Sequence, residues 1–108
     1  MSMTIHIYYD GAPGAARAFA QEMTEKGIVA AIRQEAGNLG YAYYFPMEDA
    51  NGVLLVDSWE SREALQAHHD SPMMATIAAL REKYDLHMKV QRFVEVQEDG
   101  TDSQYIRK

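Results

Sequence analysis

Cysteine is absent from this chain of 108 residues. That excludes disulfides, thiolate nucleophiles and cysteine-ligated metal centres. Basic charge is scarce as well: ten Lys and Arg against sixteen Asp and Glu leave a formal net charge of −6. With no Lys/Arg stripe to track phosphates, nucleic acid is excluded as a general partner. No apolar run approaches the roughly 20 residues that span a bilayer, so a membrane is excluded too. The opening MSMTIHIYYD lacks a basic segment followed by a long apolar one, and the cytoplasm is the expected compartment. Repeats, linkers and low-complexity blocks are missing. What remains, with 47% hydrophobic and 24% charged residues, has the make-up of one soluble globular domain.

Four strands and three helices are legible along the chain. Thr4–Tyr9 is β-branched and aromatic, ends at Asp10-Gly11 and Pro13, and sets Ile5, Ile7 and Tyr9 against His6 and Tyr8. From about Pro13 to Glu35 strong helix formers place Phe19, Met23, Gly27 and Ala30 at helical spacing, with Ile28 and Ile32 beside them. Gly27 is read inside this helix, at a close approach to the sheet. Gly37 and Asn38 supply a left-handed stop. Leu39–Phe45 is an aromatic strand ended by Pro46. After the Asn51-Gly52 turn, Val53–Trp59 returns antiparallel to it.

Two helix starts follow. Ser61 is read as the cap of a short helix carrying His68 and His69, with Glu63 in its first turn, and Ser71-Pro72 as the opening of the next. Met73, Ile77, Leu80 and Tyr84 make the apolar stripe of that second helix. In the last strand, Leu86–Val96, one face carries Leu86, Met88, Val90, Val94 and Val96, with Arg92 as its exception. Residues 1–97 form the expected domain and 98–108 a polar tail.

This order is the split βαβ pattern of a ferredoxin-like α+β fold, an antiparallel sheet with helices on one face. The other face is too apolar and aromatic for water, which predicts a homodimer.

The stretch LLVDSWESREALQAHHDSPMM, matched at Asp57, Trp59, Leu65, His68 and Ser71-Pro72, resembles the antibiotic biosynthesis monooxygenase family. IRQEAGNLGYAYY adds Arg33, Glu35, Gly37 and Tyr41, and the resemblance runs over about residues 4–96. It implies a dimeric α+β barrel with a pocket between sheet and helices in each subunit. Several such proteins oxygenate quinols or phenolic polyketides with no metal or flavin, so the resemblance implies no cofactor. The substrate's own phenolate reduces dioxygen, and the protein supplies a base and donors for the developing anion. Two departures matter. Met73 stands where many members have a second histidine. The haem-degrading relatives place a Trp near the position of His68, an iron-ligating His near Ala78 and an Asn on the first strand, whereas the asparagines here are Asn38 and Asn51. Haem degradation is therefore disfavoured.

His68 is the candidate acid/base, with an imidazole suited to proton transfer near neutrality, and Asp57 its candidate orienter. The competing reading makes both a structural link between helix and strand end. Trp59, Tyr41, Tyr43, Tyr44 and His6 are the candidate substrate-binding groups, each with core or interface packing as its plainer role. His69, about 100° further round the helix, is expected to be exposed. The functional expectation is a cofactor-independent monooxygenase on a small aromatic, phenolic or quinol substrate with dioxygen. Its alternative is a non-catalytic ligand-binding or structural dimer.

Overall fold

A computed structural model describes residues 1–108. Its elements are β1 (Met3–Asp10), α1 (Ala15–Glu25), α2 (Ile28–Arg33), β2 (Asn38–Tyr44), β3 (Val53–Trp59), α3 (Arg62–His69), α4 (Met73–Lys83) and β4 (His87–Val94). The four strands form one antiparallel sheet in the order β2-β3-β1-β4. This is the α+β ferredoxin-like arrangement. No helix is long and apolar enough to cross a membrane.

Alternation in the strands decides which side the helices cover. Ile5, Ile7 and Tyr9 of β1 and Val53, Leu55, Asp57 and Trp59 of β3 are buried, while the residues between them are half-exposed. Phe19, Met23, Val29, Ile32, Leu65, Ile77 and Leu80 of the helices complete this core. Fully burying such side chains stabilises by about 1.5–3 kcal/mol each before chain entropy is set against it.

The long helix expected over Pro13–Glu35 is two helices. Gly27 caps α2 at φ 75, a left-handed conformation that glycine adopts without penalty. It does not approach the sheet: a Cβ there would meet nothing within 4 Å. The break resets the helical phase, so Val29 is buried where Ala30 was expected and Ala30 is exposed. Gly37 does make the left-handed turn, at φ 82.

Ser61 caps α3 as expected, accepting from the Ala64 amide at 3.1 Å. Ser71 does not cap α4. Its hydroxyl donates to the His68 carbonyl at 2.7 Å, closing α3, and Pro72 occupies the cap of α4 in helical geometry. The inner face of β4 alternates as read, but the helices do not reach it, and Met88, Val90 and Val94 stay exposed. Beyond Val94 the chain is exposed, with one 3-10 turn at Ser103–Tyr105.

Candidate active site

One cross-strand row on the helix-covered face sets out the site. Tyr41 of β2 pairs with Asp57 of β3, Asp57 with Ile5 of β1, and Ile5 with Arg92 of β4. Side chains in such a row stand side by side, one strand spacing apart. Asp57 is thus a carboxyl on the floor of the core, 5% exposed. Its Oδ1 accepts a hydrogen bond from Trp59 Nε1 at 2.7 Å, an i,i+2 contact along one face of β3.

His68 descends onto this floor from α3. Leu65 and His68, three apart, are the buried residues of that helix, the spacing that puts two side chains on one face. The imidazole stacks on Trp59, with ring centroids 4.8 Å apart and planes 25° from parallel. Its Nδ1 meets Glu35 Oε2 at 2.7 Å, which leaves Nε2 free of protein partners.

Glu35 arrives from the turn after α2, where its amide bonds the Ile32 carbonyl at 3.0 Å. The neighbouring residues fix that turn. Arg33 holds the Tyr41 carbonyl through Nε and a terminal nitrogen at 3.0 and 2.7 Å, and the Gly37 carbonyl accepts from the Glu60 amide at 2.8 Å.

A cavity of about 160 Å³ opens above the row. Ile5, Ile7, Leu55, Met74, Ile77, Met88 and Val90 give it apolar walls, and Tyr41, Asp57, His68, His69, Arg81 and Arg92 bring polar groups to it. Burial lifts the Asp57 carboxyl to about 6. The Trp59 hydrogen bond and the charges of His68 and Arg81 oppose the rise, while Glu35 adds to it. Burial also holds the Tyr41 phenol well above its ordinary value, helped by the neighbouring Tyr43 and Tyr9. His69, at the mouth, is pushed down by burial and by the positive charges of His68, Arg92 and Arg81. Arg81 is anchored by its Nε, which donates to the Tyr9 hydroxyl at 3.1 Å.

Of the residues singled out from sequence, His68, Asp57 and Tyr41 come together around this cavity. Trp59 does not reach it: fully buried, it backs His68 and bonds Asp57. Tyr43 packs edge-on against Tyr41 at 5.8 Å and against Phe19 at 6.3 Å, one layer behind the lining. His6 and Tyr44 lie on the open face of the sheet, His6 against Phe93 at 4.7 Å. Asp57 does not bond His68; Glu35 takes that position.

Sequence reasoning missed Glu35, Arg81 and Arg92 as site residues; His69 is exposed as expected and still lines the cavity. One signal was available, since Arg92 interrupts the apolar face of the last strand. Arg81 gave none, because a basic residue near a helix end ordinarily faces solvent.

A family model described as antibiotic biosynthesis monooxygenase matches residues 2–80. No protein of curated function matches the chain. Several solved structures share its fold. SnoaB, a cofactor-independent oxygenase from Streptomyces nogalater, superposes with a TM-score of 0.73 at 11% identity, covering 91% of this chain and 96% of its own. A Deinococcus radiodurans protein proposed to be an antibiotic biosynthesis monooxygenase gives 0.74 at 19% identity, covering 91% and 95%. A Pseudomonas aeruginosa protein gives 0.73 at 23% identity, covering 89% and 95%. At such identities these likenesses establish the fold.

Proposed function

The chain belongs to the antibiotic biosynthesis monooxygenase family, and from that membership and its cavity we propose that it oxygenates a small phenolic or quinol substrate. Dioxygen is the co-substrate and the substrate itself is the reductant. The observation that carries the reading is Asp57, a buried carboxyl at the floor of an apolar cavity, ionising at about 6. A base poised near the working pH is what removal of a phenolic proton requires.

In this mechanism the substrate ring lies between the apolar walls and its hydroxyl gives its proton to Asp57. The phenolate passes one electron to dioxygen, and the resulting radical pair joins as a peroxide on a ring carbon that carries hydrogen. Loss of that hydrogen with the distal peroxide oxygen, as water, leaves a carbonyl. A phenol and dioxygen thus become a quinone and water. His68, steadied through Nδ1 by Glu35 and from behind by Trp59, offers Nε2 to carry the proton to the peroxide. Glu35 thereby fills the orienting role expected of Asp57.

The active form is proposed to be a homodimer built on the open sheet face. Leu54 and Val56 of β3, Tyr8 of β1, Tyr44 of β2 and Phe93 of β4 lie on it, on the side opposite the helices.

Oxygen uptake across a panel of hydroxylated aromatics tests the function. Uptake above autoxidation, reduced by roughly 10²–10⁴-fold in His68→Ala or Asp57→Asn with the fold retained, is the expected result. Uptake unchanged in both variants would remove these residues from the chemistry. Tight binding with no uptake would make the protein a ligand-binding module instead.

A further inference from the structure

We propose that the substrate is a single-ring phenol carrying a carboxylate, with its hydroxyl on Asp57, its ring over Ile5 and its acid group on Arg92 and Arg81. The inference deepens the oxygenase reading and takes from it only the placement of the hydroxyl at Asp57.

Size comes first. A cavity near 150 Å³ with apolar walls accommodates one benzene ring, and the cavity here measures about 160 Å³. One ring fills it and two fused rings exceed it.

Charge comes second. Arg81 and Arg92 approach the cavity from different elements, α4 and β4. Neither belongs to an ion pair: the salt bridges of the chain involve Lys26, Lys83 and His68 only. Arg81 spends its Nε on a neutral phenol, and the Arg92 guanidinium has no side-chain hydrogen bond to the protein. In a chain of net charge −6, two guanidinium groups without acidic partners therefore converge on one small cavity. Asp57 is the one carboxyl lining it. Planar guanidinium forks suit a carboxylate better than any neutral polar group.

Spacing comes third. Asp57 and Arg92 share one cross-strand row with Ile5 between them, two strand spacings apart, or about 10 Å between backbones. A benzene ring with a hydroxyl at one end and a carboxylate at the other bridges such a pair. Ile5 forms the floor beneath the ring. Met74 and Ile77 of α4 line the cavity from the helix side.

Calorimetric titration without oxygen separates this proposal from turnover. The probes are 4-hydroxybenzoate, its methyl ester, phenol and 6-hydroxy-2-naphthoate. The expected order puts 4-hydroxybenzoate at least tenfold tighter than the ester, with the naphthoate weaker than either. Arg92→Gln, on an exposed edge strand where no core contact is lost, should erase the preference for the acid and leave ester affinity within about twofold. An ester that binds as tightly as the acid would overturn the proposal. So would a naphthoate that binds more tightly than 4-hydroxybenzoate, or an Arg92→Gln variant that keeps the acid preference. Oxygen uptake on the same probes then reads the two ideas apart. Selective binding of the acid without uptake supports this pocket and removes the oxygenase. Uptake on neutral phenols with no preference for the acid leaves the oxygenase and removes this pocket.

Discussion

A carboxylate on the floor of an apolar cavity lowers stability in exchange for a poised base, and at Asp57 the cost has a definite sign. Burial raises its ionisation from 3.8 to about 6, so the fold favours the protonated form. That contribution is complete below about pH 4 and is lost as the pH rises through 6. Two units correspond to about 3 kcal/mol at most. Asp57→Asn keeps an oxygen for Trp59 Nε1 and carries no charge. It should be more stable than the parent by about 1–3 kcal/mol at pH 8, with the gap closing near pH 4, as read by urea denaturation at both pH values. Equal stability at pH 8 would mean that the carboxylate is not desolvated. Activity should show the reverse dependence. kcat/KM in the parent rises with pH to a plateau above about 6, where Asp57 is ionised, and Asp57→Asn loses that limb. Sequence revealed Asp57, His68 and Tyr41 through the motifs that carry the family resemblance, while the face of the sheet that Tyr41 takes was settled only by its pairing with Asp57. It could not reveal the Glu35–His68 contact, which joins residues 33 apart in the chain, nor the convergence of Arg81 and Arg92 from separate elements.

At the scale of elements, two left-handed glycines carry different loads. Gly27 separates α1 from α2 in open space, so Gly27→Ala meets only the backbone penalty, about 1 kcal/mol. Gly37 joins the turn bearing Glu35 to β2, at φ 82. A Cβ there would lie 2.6 Å from the Ala64 Cβ and 3.0 Å from the Glu60 Cγ. Gly37→Ala should therefore cost about 3 kcal/mol, from backbone strain and from the push against α3 together. Because α3 holds His68 and the turn holds Glu35, that variant should also lose kcat, while Gly27→Ala retains it. Thermal melts and oxygen uptake on the two variants check both halves. The strands were the most legible elements. β3 runs over Val53–Trp59 as expected, and the others differ by one or two residues at an end, since each has alternating burial or a firm turn signal. The helical region was less legible. Strong helix formers flank Gly27, and nothing local reveals that its φ is positive. At Ser71-Pro72 the serine hydroxyl satisfies a carbonyl of the preceding helix rather than an amide of the next.

On the scale of the whole molecule, the helices cover only part of the sheet. All of β4 is exposed, with Val90 at 47% and Phe93 at 44%, on opposite faces. The open face has no helix over it. Polar contacts already tie down part of that face, such as Thr4 Oγ1 to Ser58 Oγ at 2.9 Å and the Tyr8 hydroxyl to Asp49, so its side chains are ordered before any partner arrives. An ordered apolar face loses little conformational entropy on association, which favours a stable interface. A second copy packed sheet to sheet is self-complementary and needs on the order of 1,200–2,000 Å² of total buried area. The expected outcome is a dimer by light scattering at micromolar concentration. Val56, which pairs with His6 and Ala42 across the middle of the face, is the position to test. Val56→Lys places a charge at the centre of such an interface and should give a monomer with an unchanged far-ultraviolet spectrum. The helix-side cavity belongs to one chain and lies on the other face of the sheet, so that monomer should still bind ligand. A parent that is already monomeric would instead leave the open face without a partner of its own kind, and a Val56→Lys variant that stays dimeric would move the interface to the edge at β4.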